Sequence, residues 1–140
     1  MKNNFGVILF FCFINTIAVS QNLQLYGGAD HNEYLGCIDC SNFDLNSIWN
    51  PYSNYGNKSS SKSIWNPNGI YGNEFNFYSP WNKHSSIPPI VKNKDGEILG
   101  YFTVNKYKGN RANFELAITI YSQYQLIRED VDGWYKKIFE

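Results

Sequence analysis

Cys37 and Cys40, in the stretch "YLGCIDC" (residues 34–40), are the side chains of this sequence best placed by type and spacing to do chemistry. Two thiols separated by two residues can close a disulfide, exchange electrons with another thiol pair, or supply half of a zinc site. In an exported chain the disulfide is the default. A redox-active pair needs a low thiol pKa, which a helix beginning at the cysteines would provide. The residues after Cys40 are instead "SNFDLNSIWNPYSNYG", a run of turn formers. A metal site would recruit His31 and His84 to the two thiols. These histidines lie 53 positions apart and lack the close spacing of common structural zinc sites. His31 reads as a turn residue beside Asp30 and His84 as a loop residue. No metal and no other cofactor is expected.

Other catalytic constellations find less support. The chain has no G-x-S-x-G elbow for a nucleophilic serine. A carboxylate pair for glycoside hydrolysis could be drawn from Asp30, Glu33, Asp39 and Asp44, as from any acidic segment. Gly27-Gly28 lacks the Lys-Ser/Thr and helix that complete a phosphate-binding loop. "IPPIVKNKDGEI" is similar to the thioredoxin stretch in which a cis-proline sits beside the active disulfide. The α-β-α passage that should precede it is replaced by aromatic turns. No catalytic residue is expected.

The elements that hold these residues are set by the rest of the chain. Lys2, the apolar run "FGVILFFCFINTIAV", and the small residues Ala18 and Ser20 form a secretory signal over residues 1–20. Cleavage would leave Gln21 first. Residues 21–140 then form one mature domain, without a transmembrane segment. The whole chain carries twelve basic and twelve acidic residues, which argues against nucleic acid as a bulk electrostatic partner. The charge is unevenly placed. Residues 21–46 hold four acids and no base, whereas residues 47–94 hold five bases against Glu74 alone. An acidic entry segment folded back on a basic middle is one reading of this, a solvated surface the other.

The domain divides into three stretches. Residues 21–46 read as two short entry strands with the C-x-x-C, punctuated by Gly27-Gly28 and Asp30-His31-Asn32. Residues 47–91 hold "SIWNP", "SIWNP" and "SPWNK", in which Trp49, Trp65 and Trp81 recur at a step of sixteen, each followed by an asparagine (Asn50, Asn66, Asn82). Between Ser47 and Asn82 there are nine aromatic residues and three aliphatics. A segment so poor in Leu and Val must use its tryptophans as core, with each asparagine bonding its own backbone two residues on to hold a turn. The alternative is an exposed aromatic ligand platform. Residues 92–140 read as a hairpin turning at Asp95-Gly96, with arms at Ile90-Val91 and 97–105, then C-terminal helices. Residues 113–127 suit either strand or helix; helix is favoured, with Asn113 as N-cap. A second helix has Val131, Trp134, Tyr135 and Ile138 at helical spacing, weakened by Gly133. The expected fold is α+β, a loop-rich aromatic segment packed on a β-hairpin and one or two C-terminal helices.

"YLGCIDC", the "SIWN…YG" units, "SPWN" and "DGEILGYFTVN" together resemble a family of uncharacterised secreted bacterial proteins. In that family an LG-C-x-x-C entry precedes sixteen-residue S-I-W-N-type repeats and a D-G-x-x-x-G-Y-x-T-x-N hairpin. The likeness covers roughly residues 25–107. Its Y-G-x-Y-G rhythm is incomplete here, reading "YSNYG" at Tyr52–Gly56 and "NGIYG" at Asn68–Gly72. The resemblance implies export and a shared fold, and no activity. The expected function is an exported, non-enzymatic binding or structural domain of the cell envelope or extracellular space, with a glycan or protein as ligand. The alternative is a thiol–disulfide oxidoreductase using Cys37 and Cys40.

Overall fold

Leu25, Leu35, Val91 and Phe102 meet with no exposed surface, and the strands that carry or adjoin them form one antiparallel sheet. The computed structural model describes residues 22–140; the expected signal peptide and the chain start at Gln21 lie outside the described residues. The strands are β1 (Gln24–Gly27), β2 (Glu33–Cys37), β3 (Ile90–Lys92) and β4 (Ile98–Tyr101), in the order β2-β1-β3-β4. β1 alternates half-buried Gln24 and Tyr26 with buried Leu25 and Gly27, as a strand with one face on the core must. Leu25 is in register with Gly36 on one side and Val91 on the other. The β3–β4 connection turns at Asp95-Gly96, where Gly96 has φ +80° and its N–H bonds Asn93 O at 3.0 Å. Asn93 Oδ1 accepts from the backbone N–H of both Asp95 and Glu97. β4 stops at Tyr101, short of the expected arm at 97–105, because Phe102 enters the core and Thr103 opens a new turn.

The C-terminal segment is helical: α1 (Glu115–Glu129) and α2 (Val131–Phe139). α1 buries Ala117, Ile120, Tyr121, Tyr124 and Ile127, a stripe at helical spacing. Its N-cap is Phe114, not the expected Asn113. Phe114 has extended backbone, and its carbonyl accepts the first helical bond from Ile118 at 3.1 Å, so no side chain caps the helix. Asp130 caps α2, accepting from Gly133 N at 3.0 Å. A Cβ on residue 133 would stand 2.1 Å from the Asp130 carboxylate. The glycine that weakens the helix on propensity is therefore the residue that admits its cap. No helix among the described residues is long and apolar enough to cross a membrane.

Residues 41–85, between β2 and β3, contain neither strand nor helix. They are a chain of consecutive turns. Asp44, Ser47, Asn50 and Ser53 each donate a backbone N–H to the carbonyl three residues earlier, Asn57 bonds back four residues to Ser53, and the steps of three resume at Ser60. Gly69 and Asn73 repeat the four-residue step, and Asn76, Ser79, Asn82 and Ser85 continue by threes. Four steps of three and one of four make the sixteen-residue period. Most turns begin at an Asn, Asp or Ser whose side-chain oxygen accepts the N–H two residues on, as Asp44 does from Asn46, Ser47 from Trp49 and Asn57 from Ser59. In this way a backbone without a sheet ladder satisfies its own polar groups. Gly56 and Gly72 lie against the turns they follow: a Cβ there would approach Asn50 O to 2.0 Å and Asn66 O to 1.9 Å.

Candidate functional site

The turn chain decides which aromatic rings reach solvent. Trp49, Trp65 and Trp81 occupy matching places, with 0%, 0% and 1% of their surface exposed. Each indole N–H reaches back to an isoleucine carbonyl. Trp49 bonds Ile38 O at 2.6 Å, Trp65 bonds Ile48 O at 2.7 Å, and Trp81 bonds Ile64 O at 2.6 Å. The rings form a column continued by Phe102, with centroid steps of 5.9, 5.5 and 6.0 Å. Tyr124 of α1 stacks on Trp81 at 4.5 Å, and Tyr135 and Phe139 of α2 pack on Trp49. Asn50, Asn66 and Asn82 accept the N–H groups of Tyr52, Asn68 and His84. The first two also donate to the carbonyls of Asp44 and Ser60, both at 3.0 Å. These six residues are core and turn hardware.

Cys37 and Cys40 are joined as a disulfide with Cα atoms 5.5 Å apart. Cys37 ends β2 and is fully buried; Cys40 is partly exposed. The Cys37 backbone bonds Asn46 O at 2.6 Å and accepts from Ile48 N at 3.0 Å, so the bridge sits where the sheet hands over to the turns. His31 and His84 do not approach the pair together. The His31 ring bonds Pro88 O at 2.8 Å, while His84 stands on the third tryptophan turn. Of the acidic entry residues, Glu33 forms an ion pair with Lys62, linking that segment to the basic middle. The Lys62 pKa is raised by this bond to the Glu33 carboxylate.

A further cavity lies elsewhere. A groove of about 620 Å³ runs between α1 and two turns, with Lys83, His84, Lys106, Tyr107 and Arg111 along its sides and Tyr121 on its floor. Residues 103–108 repeat the tryptophan turns without a tryptophan. Thr103 Oγ1 accepts from Asn105 N, Asn105 Oδ1 accepts from Tyr107 N, and Asn105 Nδ2 donates to Ser85 O, each at 3.0 Å. Asn82-Lys83-His84 and Asn105-Lys106-Tyr107 are thus two joined Asn-Lys-ring turns. Each holds a lysine and a ring out from a buried asparagine. Arg111 is fixed at the edge, its Nε donating to Thr103 O at 2.7 Å and its guanidinium 4.3 Å from the Tyr121 ring. Tyr121 donates its hydroxyl to Ala112 O at 2.9 Å; burial raises its pKa, against the smaller opposing effects of Thr103 and Arg111. The lining includes no carboxylate, and neither Lys83 nor Lys106 forms an ion pair among the described residues. Such a surface can hold an anionic group beside a flat apolar one.

Sequence reasoning missed this groove. Its residues come from three separated stretches, and the fourth turn breaks the sixteen-residue step that marks the others. The signal within reach was the pair of Asn-Lys-ring triplets, "NKH" at 82–84 and "NKY" at 105–107. Comparison of the chain with protein-family models, with curated proteins and with solved structures gives no match.

Proposed function

We propose that this protein is an exported binding domain of the cell envelope or extracellular space, belonging with the secreted bacterial proteins whose motifs it resembles, and that it acts by holding a glycan or protein. The observation that carries this reading is the groove beside α1. It sits on turns pinned by buried asparagines, and among the described residues Lys83, Lys106 and Arg111 form no ion pair with a carboxylate. Rigid polar turns flanked by exposed rings suit recognition, where little ordering entropy is lost on binding. The test is co-sedimentation of the purified chain with insoluble envelope polysaccharide and with peptidoglycan-depleted envelope protein. Saturable sedimentation with either supports the reading; a chain left in the supernatant in both cases ends it.

The disulfide also suits the second reading, a thiol–disulfide oxidoreductase. Cys40 is the more exposed residue of the pair, so an attacking thiolate would enter there, form a mixed disulfide with Cys40 and release Cys37 as the thiolate. Catalytic insulin reduction that disappears in Cys37→Ser would establish it in place of the first.

A further inference from the structure

The two Asn-Lys-ring turns bear on the ligand's chemistry. We infer that the groove between α1 and these turns is a binding site for an acidic oligosaccharide, its carboxylates on Lys83 and Lys106 and its sugar faces on His84 and Tyr107. The inference rests on the binding-domain reading and narrows it to one class of glycan.

Four observations converge on it. The lysines occupy the same position in neighbouring turns joined by the Asn105–Ser85 bond, and both line the groove. Each is followed directly by a ring. Tyr107 is 95% exposed, an arrangement that no packing demand within the chain explains. The wall opposite is α1, where Ile118 is 43% exposed and the Ser122 oxygen, its hydrogen donated to Thr119 O, can accept a hydrogen bond. Arg111 adds a third positive charge locked against Tyr121. A pyranose with a carboxylate matches this alternation of apolar ring face, hydroxyl and anion, and two linked residues match its duplication. Nucleic acid fits less well, because the chain as a whole carries twelve basic against twelve acidic residues, so the positive charge of the groove is not continued along the surface to track a phosphate backbone.

Isothermal titration of the full mature chain with tetragalacturonate tests the inference. Its methyl ester, which keeps the rings and removes the charge, is run in parallel, with oligo-dT and a tetra-glutamate peptide as anionic competitors. Tetragalacturonate is expected to bind with an affinity that falls as salt rises, and the ester to bind roughly tenfold more weakly or worse. Lys83→Ala and Lys106→Ala should each weaken binding by roughly tenfold, and Tyr107→Ala by severalfold. These side chains are exposed, so unchanged thermal melting of the variants will show that the fold is intact. Absence of tetragalacturonate binding overturns the inference. So does binding indifferent to the three variants, or tighter binding of either competitor. If the chain sediments with envelope material while these outcomes occur, only the acidic-sugar site falls. If tetragalacturonate binds the groove but nothing sediments, the envelope reading falls and the site stands.

Discussion

Removing the middle indole of the tryptophan column should nearly abolish the stability of the domain. Trp65 has no exposed surface, lies between Trp49 and Trp81 at 5.9 and 5.5 Å, and donates the one polar hydrogen of its side chain to Ile48 O at 2.7 Å. Truncating a buried Trp to Ala costs about 3–5 kcal/mol in lost transfer energy and cavity. It also strands a buried carbonyl, worth about 1–3 kcal/mol. Together the loss for Trp65→Ala is about 4–8 kcal/mol, against a total of roughly 5–15 kcal/mol for an ordinary domain. Trp65→Phe separates the two contributions, since it keeps most of the ring and removes the N–H, and should lose about 1–3 kcal/mol. Tyr52→Ala, at a ring 92% exposed, should fall within about 0.5 kcal/mol of the parent. Urea unfolding tracked by the helical circular-dichroism band avoids the fluorescence change that the substitution itself brings. With a slope of about 2 kcal/mol per molar, Trp65→Ala should lower the midpoint by about 2–4 M. A shift below about 0.5 M with unchanged slope would refute the column as the source of stability.

Three further outcomes are expected. Gly56→Ala should lose at least about 1–3 kcal/mol by driving a Cβ to 2.0 Å from Asn50 O, whereas Gly109→Ala, with open space around it, should be tolerated; paired thermal melts decide. Thiol titration of the unfolded, unreduced chain should find no free thiol at Cys37 or Cys40, and their joint replacement by Ser should cost about 2 kcal/mol, as a loop this short removes little chain entropy. Burial raises the pKa of Tyr34, Tyr71, Tyr121 and Tyr124 above the usual value. Above pH ~10 the unfolded chain gives up protons the folded chain keeps, so stability is intact below that point and falls as pH rises past it. Absorbance at 295 nm should show these tyrosines ionising together with unfolding, and smooth independent titration of all of them would contradict their burial.

Much of this architecture was legible because it is local. The Asp95-Gly96 turn, the inward tryptophans and the bond from each asparagine to the N–H two residues on are all properties of a few adjacent residues. The turn spacing was equally local and still hidden. A polar residue at 44, 47, 50 and 53, then 57, 60, 63 and 66, does not stand out beside the larger tryptophan signal, and the four-residue step breaks any search for a strict period of three. Asn113 misled because capping preference cannot report where the chain leaves the sheet. The pairing of β1 with β3, distant in sequence, and the placing of Lys83 and Lys106 on one groove are products of the completed column. No short-range pattern encodes them.

The column and the sheet are two rulers laid side by side. The column starts where β2 ends, through the bonds between Cys37 and Ile48, and closes at Phe102, the residue after β4. Its ring steps of 5.9, 5.5 and 6.0 Å are each somewhat longer than the strand spacing of a sheet, about 4.8 Å. Because both ends are fastened, the number of copies is tied to the number of strands. A further sixteen-residue unit would carry the far end of the column about one strand width past β4, and the sheet could keep pace only by recruiting a fifth strand. Inserting one further sixteen-residue unit into this chain should therefore put the end of the column out of step with Phe102 and β4, and lower the melting temperature.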